Sequence, residues 1–354
     1  MRQQRPFFQT KKKTEQTIFT ALVDGEKGIT AKSTNDMLDL ATEYYQELYS
    51  SSNQTRHQYL LKLLEPMTNQ LSRVERDTLD KPFELEELGD ALQSTDTSSA
   101  PGPDGIQFSV LQHYWDDIGP ILTRTANNIM KTGKLPQCLK RVLVTLIPKA
   151  SEKDSQDVRN LRPISLSNTA LKIISEAVCR RLQKVLNKLI GPYQTGFMKD
   201  RRINQNAMEF FTMLQIIKGG SDQSSSEYQA ILMADFQKSF RQNFPYIHAN
   251  NQEAQIFINN CHGNPFPMKC GTRQGNPLSP LIFNIALEPH LCNLNQITGI
   301  SIKYDVFHLG SMKYHTFADD INICLEDLTD YETTAEIVKV YEKFSNSKIN
   351  ANKS

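Results

Sequence analysis

The stretch YHTFADDINICLED, Tyr314 to Asp327, sets two acids side by side between two strand-like runs. After the pair, Ile321, Ile323 and Leu325 alternate with Asn322, Cys324 and Glu326, the period-two pattern of a half-buried strand. The residues before it also suit an extended run, so the stretch reads as a β-hairpin with Asp319 and Asp320 at its tip. Taken alone, adjacent aspartates are ordinary turn residues, because their side chains bond nearby backbone N–H groups and tolerate awkward dihedrals. Any further meaning has to come from elsewhere in the chain.

A third acid supplies it. Ala230 to Ala234 is a short continuous apolar run, read as a buried strand that ends at Asp235, 84 residues before Asp319. If the two strands are neighbours in one sheet, Asp235, Asp319 and Asp320 converge, and three carboxylates cannot stay close and ionised without a cation. Hard oxygen ligands select Mg²⁺, with Mn²⁺ as the alternative ion. Two such ions a few ångströms apart suit the activation of a 3′-hydroxyl and the departure of pyrophosphate, the chemistry of nucleotide polymerisation.

The rest of the chain frames that site. Its 354 residues, 39% hydrophobic and 22% charged, can bury a sizeable core and are long enough for two or three subdomains. No apolar run is long enough for a membrane span, and the N-terminus MRQQRPFFQTKKKTEQ lacks the apolar core of a secretory signal, so the expectation is an intracellular protein. The six cysteines are scattered without a C-x-x-C spacing, which argues against a structural zinc site and a disulfide framework. Charge is segregated. Residues 131–202 hold sixteen Lys or Arg against five Asp or Glu, a balance of +11, so the other 282 residues of this +1 chain sum to −10. A basic block interleaved with apolar residues, as in KRVLVTLIPK and CRRLQKVLNK, suits a folded surface facing phosphates, although solvated helix faces carry the same pattern.

Helical spacing runs from Asn35 to about Gln93, and the turn formers of STDTSSAPGPDG, Ser94 to Gly105, exclude a helix there. Arg141 to Lys149 reads as a strand. SLSNTALKIISEAVCRRLQKVLNKLIGP reads as a helix capped by Ser167 or Asn168 and ended at Gly191-Pro192.

Seven blocks then occur in order over about 220 residues: PGPDG at Pro101, LIPK at Leu146, LRPISLSNTALKIISEAVCRRL at Leu161, QTGFMKDRRINQN at Gln194, ADFQKSF at Ala234, GTRQGNPLSPLIFNIALEP at Gly271 and FADD at Phe317. The series resembles the reverse transcriptase of non-LTR, LINE-type retrotransposons. The resemblance implies an α+β right-hand polymerase with fingers and an antiparallel palm sheet, without a thumb, acting as an RNA-directed DNA polymerase on an RNA template, a DNA primer and dNTPs. Its implied domains are a helical extension at 1–93, fingers at 94–229 and palm at 230–354, with the reverse transcriptase domain at about 140–354. It implies nuclear target-primed synthesis with a cytoplasmic phase.

The same resemblance assigns residues. Asp235 and Asp319 match the shared metal ligands and Asp320 the looser third carboxylate, with the backbone carbonyl of Phe236 assisting. Phe240 matches the aromatic that excludes a ribose 2′-hydroxyl, which disfavours an RNA-making polymerase. Lys149 and Arg162 match finger residues that grip the triphosphate, where a planar guanidinium suits phosphate oxygens. Gln274 and Gly275 match the lining of the nucleotide and template pocket, and Lys353 a general acid for pyrophosphate. Arg180, Arg181, Lys199, Arg201 and Arg202 match contacts to template or primer phosphates, which give affinity rather than sequence choice.

Four departures from the family pattern stand beside these matches. Relative to the family, the expectation is a polymerase segment without the upstream endonuclease, without a thumb and without a C-terminal cysteine-rich region. Arg241 stands where the family carries Asp, and the segment from Phe240 to Gly271 is shorter by roughly one helix. They support a second expectation, a catalytically inactive remnant that at most binds nucleic acid.

Overall fold

A computed structural model describes residues 18–50, 56–149, 155–219, 229–237, 252–269, 271, 273–304, 307–345 and 348–349. In chain order, strands β1 (Leu22–Asp24) and β2 (Ile29–Ala31) form a small hairpin ahead of helix α1 (Thr34–Leu48). Helices α2 (Arg56–Leu64), α3 (Arg73–Leu79), α4 (Leu85–Ser94), α5 (Phe108–His113), α6 (Trp115–Thr132) and α7 (Gln137–Lys140) come next. Strands β3 (Arg141–Pro148) and β4 (Leu161–Leu166) lead into α8 (Thr169–Leu189) and α9 (Ile203–Gly219). After β5 (Ala230–Gln237), β6 (Gln252–Ile258) and β7 (Cys261–Met268) comes α10 (Ser279–Leu294). Last are β8 (Ile300–Tyr304), β9 (Phe307–Met312), β10 (Tyr314–Phe317), β11 (Asp320–Leu325), α11 (Leu328–Ser345) and β12 (Lys348–Ile349).

Two four-stranded sheets organise these elements. The acidic sheet has the order β10-β11-β5-β12 and is antiparallel throughout. Alternation decides its faces: Ala234, Ile321 and Ile323, all at most 3% exposed, turn toward α10 and α11, where Phe283, Leu287, Leu291, Tyr341 and Phe344 close a core. On the other side Ile231 and Cys324 meet Phe210 and Leu214 of α9. The apolar run in β5 is not buried throughout, however, since Met233 is 61% exposed, and the strand runs past Asp235 to Gln237. α10 has buried residues on every side, as expected of a helix apolar all round.

The second sheet, β4-β3-β6-β7, is mixed, because β3 pairs antiparallel with β4 and parallel with β6. It draws strands from both sides of residue 230. Its core is completed by α1, whose Met37, Leu38, Ala41 and Tyr45 pack with Val144, Leu146, Ala254, Ile256 and Phe266. Leu63 of α2 joins the core under the acidic sheet, and Leu88, Ala91 and Leu92 of α4 pack with Ile173, Ile174 and Ala177 of α8. Helices α1, α2 and α4 are thus built into the same cores as strands and helices that lie beyond residue 140. α8 begins at Thr169 with Asn168 as its N-cap, though that side chain makes no capping bond to the helix, and ends at Leu189.

Candidate active site

The acidic hairpin follows from its pairing. Phe317 pairs with Asp320, so Ala318 and Asp319 form the two-residue turn and Asp320 is the first residue of β11. Ala318 has φ 57°, a left-handed conformation that costs a residue with a Cβ roughly 1–2 kcal/mol. Two-residue hairpins need positive φ at their first central position because only the mirror-image turns match strand twist. On the neighbouring strand, Asp320 lies directly opposite Asp235 in the ladder. Directly opposed residues have Cβ atoms about 4.5–5.5 Å apart, and like charges so placed repel. With Asp319 half-buried next in the turn and Asp320 exposed, three acids collect at one end of the sheet. Carboxylates are the donor type that a hard divalent cation takes. Phe236 follows Asp235 on β5, where it pairs with Ile349 of β12. Phe240, Arg241 and Lys353 lie outside the described residues.

A second group gathers around β4. Arg162 pairs with Ile147 across the β3–β4 hairpin and is exposed. The Lys149 N–H donates to the Asn160 carbonyl at 3.1 Å, and its ammonium donates to the Arg159 carbonyl at 3.2 Å. The loop after β7 docks alongside: Ser165 N–H donates to the Gln274 carbonyl at 2.8 Å, and Gln274 bridges Ile164. Gly275 has φ 101°, and a Cβ there would lie 2.8 Å from the Ser165 carbonyl oxygen, so glycine is needed for both reasons. Gln274 and Gly275 thereby lie beside Ile164 and Ser165 on the strand that carries Arg162, whereas Lys149 lies at the start of that strand, beside Asn160. The Pro101–Gly105 turn is anchored close by, with Lys172 donating to the Ala100 carbonyl at 2.8 Å and Thr169 to the Ile106 carbonyl at 2.9 Å.

The five basic residues expected at phosphates divide into two kinds. Lys199 and Arg202 are exposed, and Arg180 is held loosely by Glu176 at 3.4 Å. Arg180, Lys199 and also Lys184 line a groove of about 410 Å³ with Glu176 and Gln183. Arg181 and Arg201 correct the expectation. Arg181, 8% exposed, forks onto Glu87 at 2.9 and 2.6 Å, donates to the carbonyls of Leu79, Lys81 and Pro82, and stacks over Phe83 at 4.1 Å. This pairing holds the Glu87 carboxyl below its usual range. Arg201 donates to the carbonyls of Ile190, Gly191 and Gln194 and to Asn187. Both guanidinium groups are occupied in holding the chain together. The partners of Arg181 lie 94 to 102 residues away, so no local signal separates it from its half-buried neighbour Arg180.

The sequence pattern assigns no role to Gln194, which is 1% exposed directly behind the acidic hairpin. Only its place in the QTGFMKDRRINQN block could have drawn attention to it.

The fold is mixed α/β, with one antiparallel and one mixed sheet backed by helices and three acids at one end of the antiparallel sheet. The chain belongs to the reverse transcriptase (RNA-dependent DNA polymerase) family, whose profile matches residues 147–354. Among relatives, the Transposon TX1 uncharacterized 149 kDa protein of Xenopus laevis is 29% identical over 97% of this chain and 27% of its own length. The type-1 retrotransposable element R2 polyprotein of Nasonia vitripennis is 25% identical over 64% of this chain and 22% of its own. The R2DM polyprotein of Drosophila melanogaster is 24% identical over 72% and 24%. The chain therefore spans about a quarter of the length of these relatives, all named as products of transposable elements. Among the described residues, no helix is long and apolar enough to cross a membrane.

Proposed function

We propose that this chain carries the fingers and palm of a LINE-type RNA-directed DNA polymerase, extending a DNA primer on an RNA template from dNTPs. The observation that carries the reading is the register of Asp235 opposite Asp320 with Asp319 in the adjoining turn. In this reading Asp235 and Asp319 hold the Mg²⁺ ions, with Asp320 as a third carboxylate and the Phe236 carbonyl assisting. When bound, the metal pair supplies the charge that activates the primer 3′-hydroxyl and stabilises the leaving pyrophosphate. The chain's own contribution is positioning. Lys149 and Arg162 grip the triphosphate, Gln274 and Gly275 shape the pocket beside them, and Phe240 excludes a 2′-hydroxyl. Arg180, Lys184, Lys199 and Arg202 meet template or primer phosphates, and Lys353 protonates pyrophosphate.

Arg241 and the short segment after Phe240 favour a second reading, an inactive remnant with a working nucleic-acid surface. Primer extension on poly-rA with annealed oligo-dT, Mg²⁺ and dTTP separates the two. Extension that disappears in Asp319→Ala/Asp320→Ala supports the polymerase. Folded protein that binds the duplex in a salt-dependent way but never extends it supports the remnant.

A further inference from the structure

The turn that carries Asp319 is held from behind by one side chain. Gln194 Oε1 accepts from the Ala318 N–H at 3.0 Å and from the Gly196 N–H at 2.9 Å. Its Nε2 donates to the Ala318 carbonyl at 3.1 Å and to Thr316 Oγ1 at 3.3 Å. The two backbone N–H donors and the one backbone carbonyl fix which end of the amide is oxygen. One side chain therefore holds both peptide groups that flank Ala318, the residue in the left-handed conformation. The peptide joining Ala318 to Asp319 is one of them, so its orientation sets where the Asp319 side chain leaves the turn.

The surroundings make the clamp rigid. Backbone bonds run from the Thr195 N–H to the Thr316 carbonyl at 3.1 Å and from the Thr316 N–H to the Tyr193 carbonyl at 3.0 Å. Asn284 of the buried helix α10 donates to the Gly196 carbonyl at 2.7 Å. A Cβ on Gly196 would collide with the Ala318 backbone nitrogen, so loop and turn touch through bare backbone.

We propose that Gln194 is a positioning residue for Asp319: it locks the left-handed turn that carries this residue into the start of β11. The proposal rests on the polymerase reading for its effect on catalysis, and on the hairpin geometry alone for its effect on the turn. Gln194→Met keeps the length and apolar bulk of the side chain and removes all four hydrogen bonds. Ala318→Gly lets the turn adopt positive φ without help. The full chain carrying each change, and both together, is compared by primer extension and by thermal unfolding without metal or nucleic acid.

Gln194→Met is expected to lower kcat by about tenfold or more while KM for dTTP stays within about twofold, the mark of a group needed only to place the reacting centre. Adding Ala318→Gly is expected to restore much of kcat and part of the lost Tm, a coupling that two independent changes would not show. Thr316→Val, a milder change that deletes one hydroxyl of the clamp, is expected to lower kcat in the same way by a smaller factor. It serves if Gln194→Met does not fold. Strictly additive losses in Tm and kcat would mean that Gln194 only fills the core and would overturn the proposal. If the wild-type chain gives no extension, the polymerase reading fails separately. The unfolding cycle then decides the clamp: coupling sustains it and additivity sinks it.

Discussion

At the scale of single residues, the consequential fact is how differently two neighbouring arginines are used. Arg180 faces a basic groove, whereas Arg181 is buried against Glu87 and three backbone carbonyls. Removing Arg181 leaves the carbonyls of Leu79, Lys81 and Pro82 without their donor and the half-buried Glu87 without its cation, a loss on the order of 2 kcal/mol. Arg181→Ala is therefore expected to destabilise the fold by that order in denaturant unfolding. In whatever protein remains folded, it should leave the salt dependence of duplex binding unchanged. Lys199→Ala should do the reverse, with unchanged stability and a salt slope lower by roughly 1. Glu288 gives a pH-dependent case. It is 2% exposed, with Oε1 accepting from the Gly191 N–H at 2.9 Å and Cys292 Sγ at 3.5 Å, and with Arg201 as the nearby cation. Burial pushes its carboxyl from 4.5 up to about 7, so the folded state holds a proton that the unfolded state has released in that interval. Stability should fall as pH rises from 4.5 to 7 and stay level above. Glu288→Gln, measured by unfolding across this range, should flatten the slope and gain up to about 3 kcal/mol near about pH 8.

At the scale of elements, the acidic hairpin was the most legible part of the sequence. Ile321, Ile323 and Leu325 mark the face of β11 that packs on α10 and α11, and their alternation is a local property, although Cys324 on the other face is buried as well. The pairing of β11 with β5 was reachable only by supposing that two distant acids serve one ion, since register between strands so far apart leaves no local mark. The parallel seat of β6 beside β3 went unread for the same reason, and the β6–β7 hairpin because Pro265 and Pro267 break the strand pattern of β7. So did α6, where Pro120 in the first turns disturbs an otherwise helical pattern. The loop after β7 offers a test at this scale. Gly275→Ala puts a Cβ on a residue at φ 101° and 2.8 Å from the Ser165 carbonyl. The expected cost is on the order of 2 kcal/mol from strain and displacement, with KM for dTTP raised because Arg162 lies on the same strand as Ser165. Unchanged stability and KM would mean that this loop does not support the nucleotide pocket.

For the whole molecule, the matched segment at 147–354 is smaller than the folded unit. Tyr45 is fully buried among residues of β3, β6 and β7, and Tyr49 stacks on it at 6.4 Å. Both precede the matched residues by about a hundred positions, so helical spacing marked α1 as a packing helix without indicating what it packs on. Tyr45→Ala should cost about 3–5 kcal/mol, the range for emptying a large aromatic site in a core. A fragment limited to 147–354 should bind a hydrophobic dye and lack a cooperative melting transition, because the second sheet would lose most of β3, the strand between β4 and β6, together with α1 that covers it. A fragment that melts cooperatively at the temperature of the full chain would show that the N-terminal helices are dispensable.

The central claim is that Asp235, Asp319 and Asp320 form one metal site across two strands. Its most direct test is Mn²⁺ binding followed by electron paramagnetic resonance, using the full chain with a chain-terminated primer on an RNA template and dTTP. Wild type should bind Mn²⁺ more tightly in the ternary complex than free dTTP does, and Asp235→Asn and Asp319→Asn should each abolish the added affinity while duplex binding persists. Equal Mn²⁺ binding by wild type and both variants would contradict the account, leaving the opposed acids as turn and strand-end residues without a shared ion.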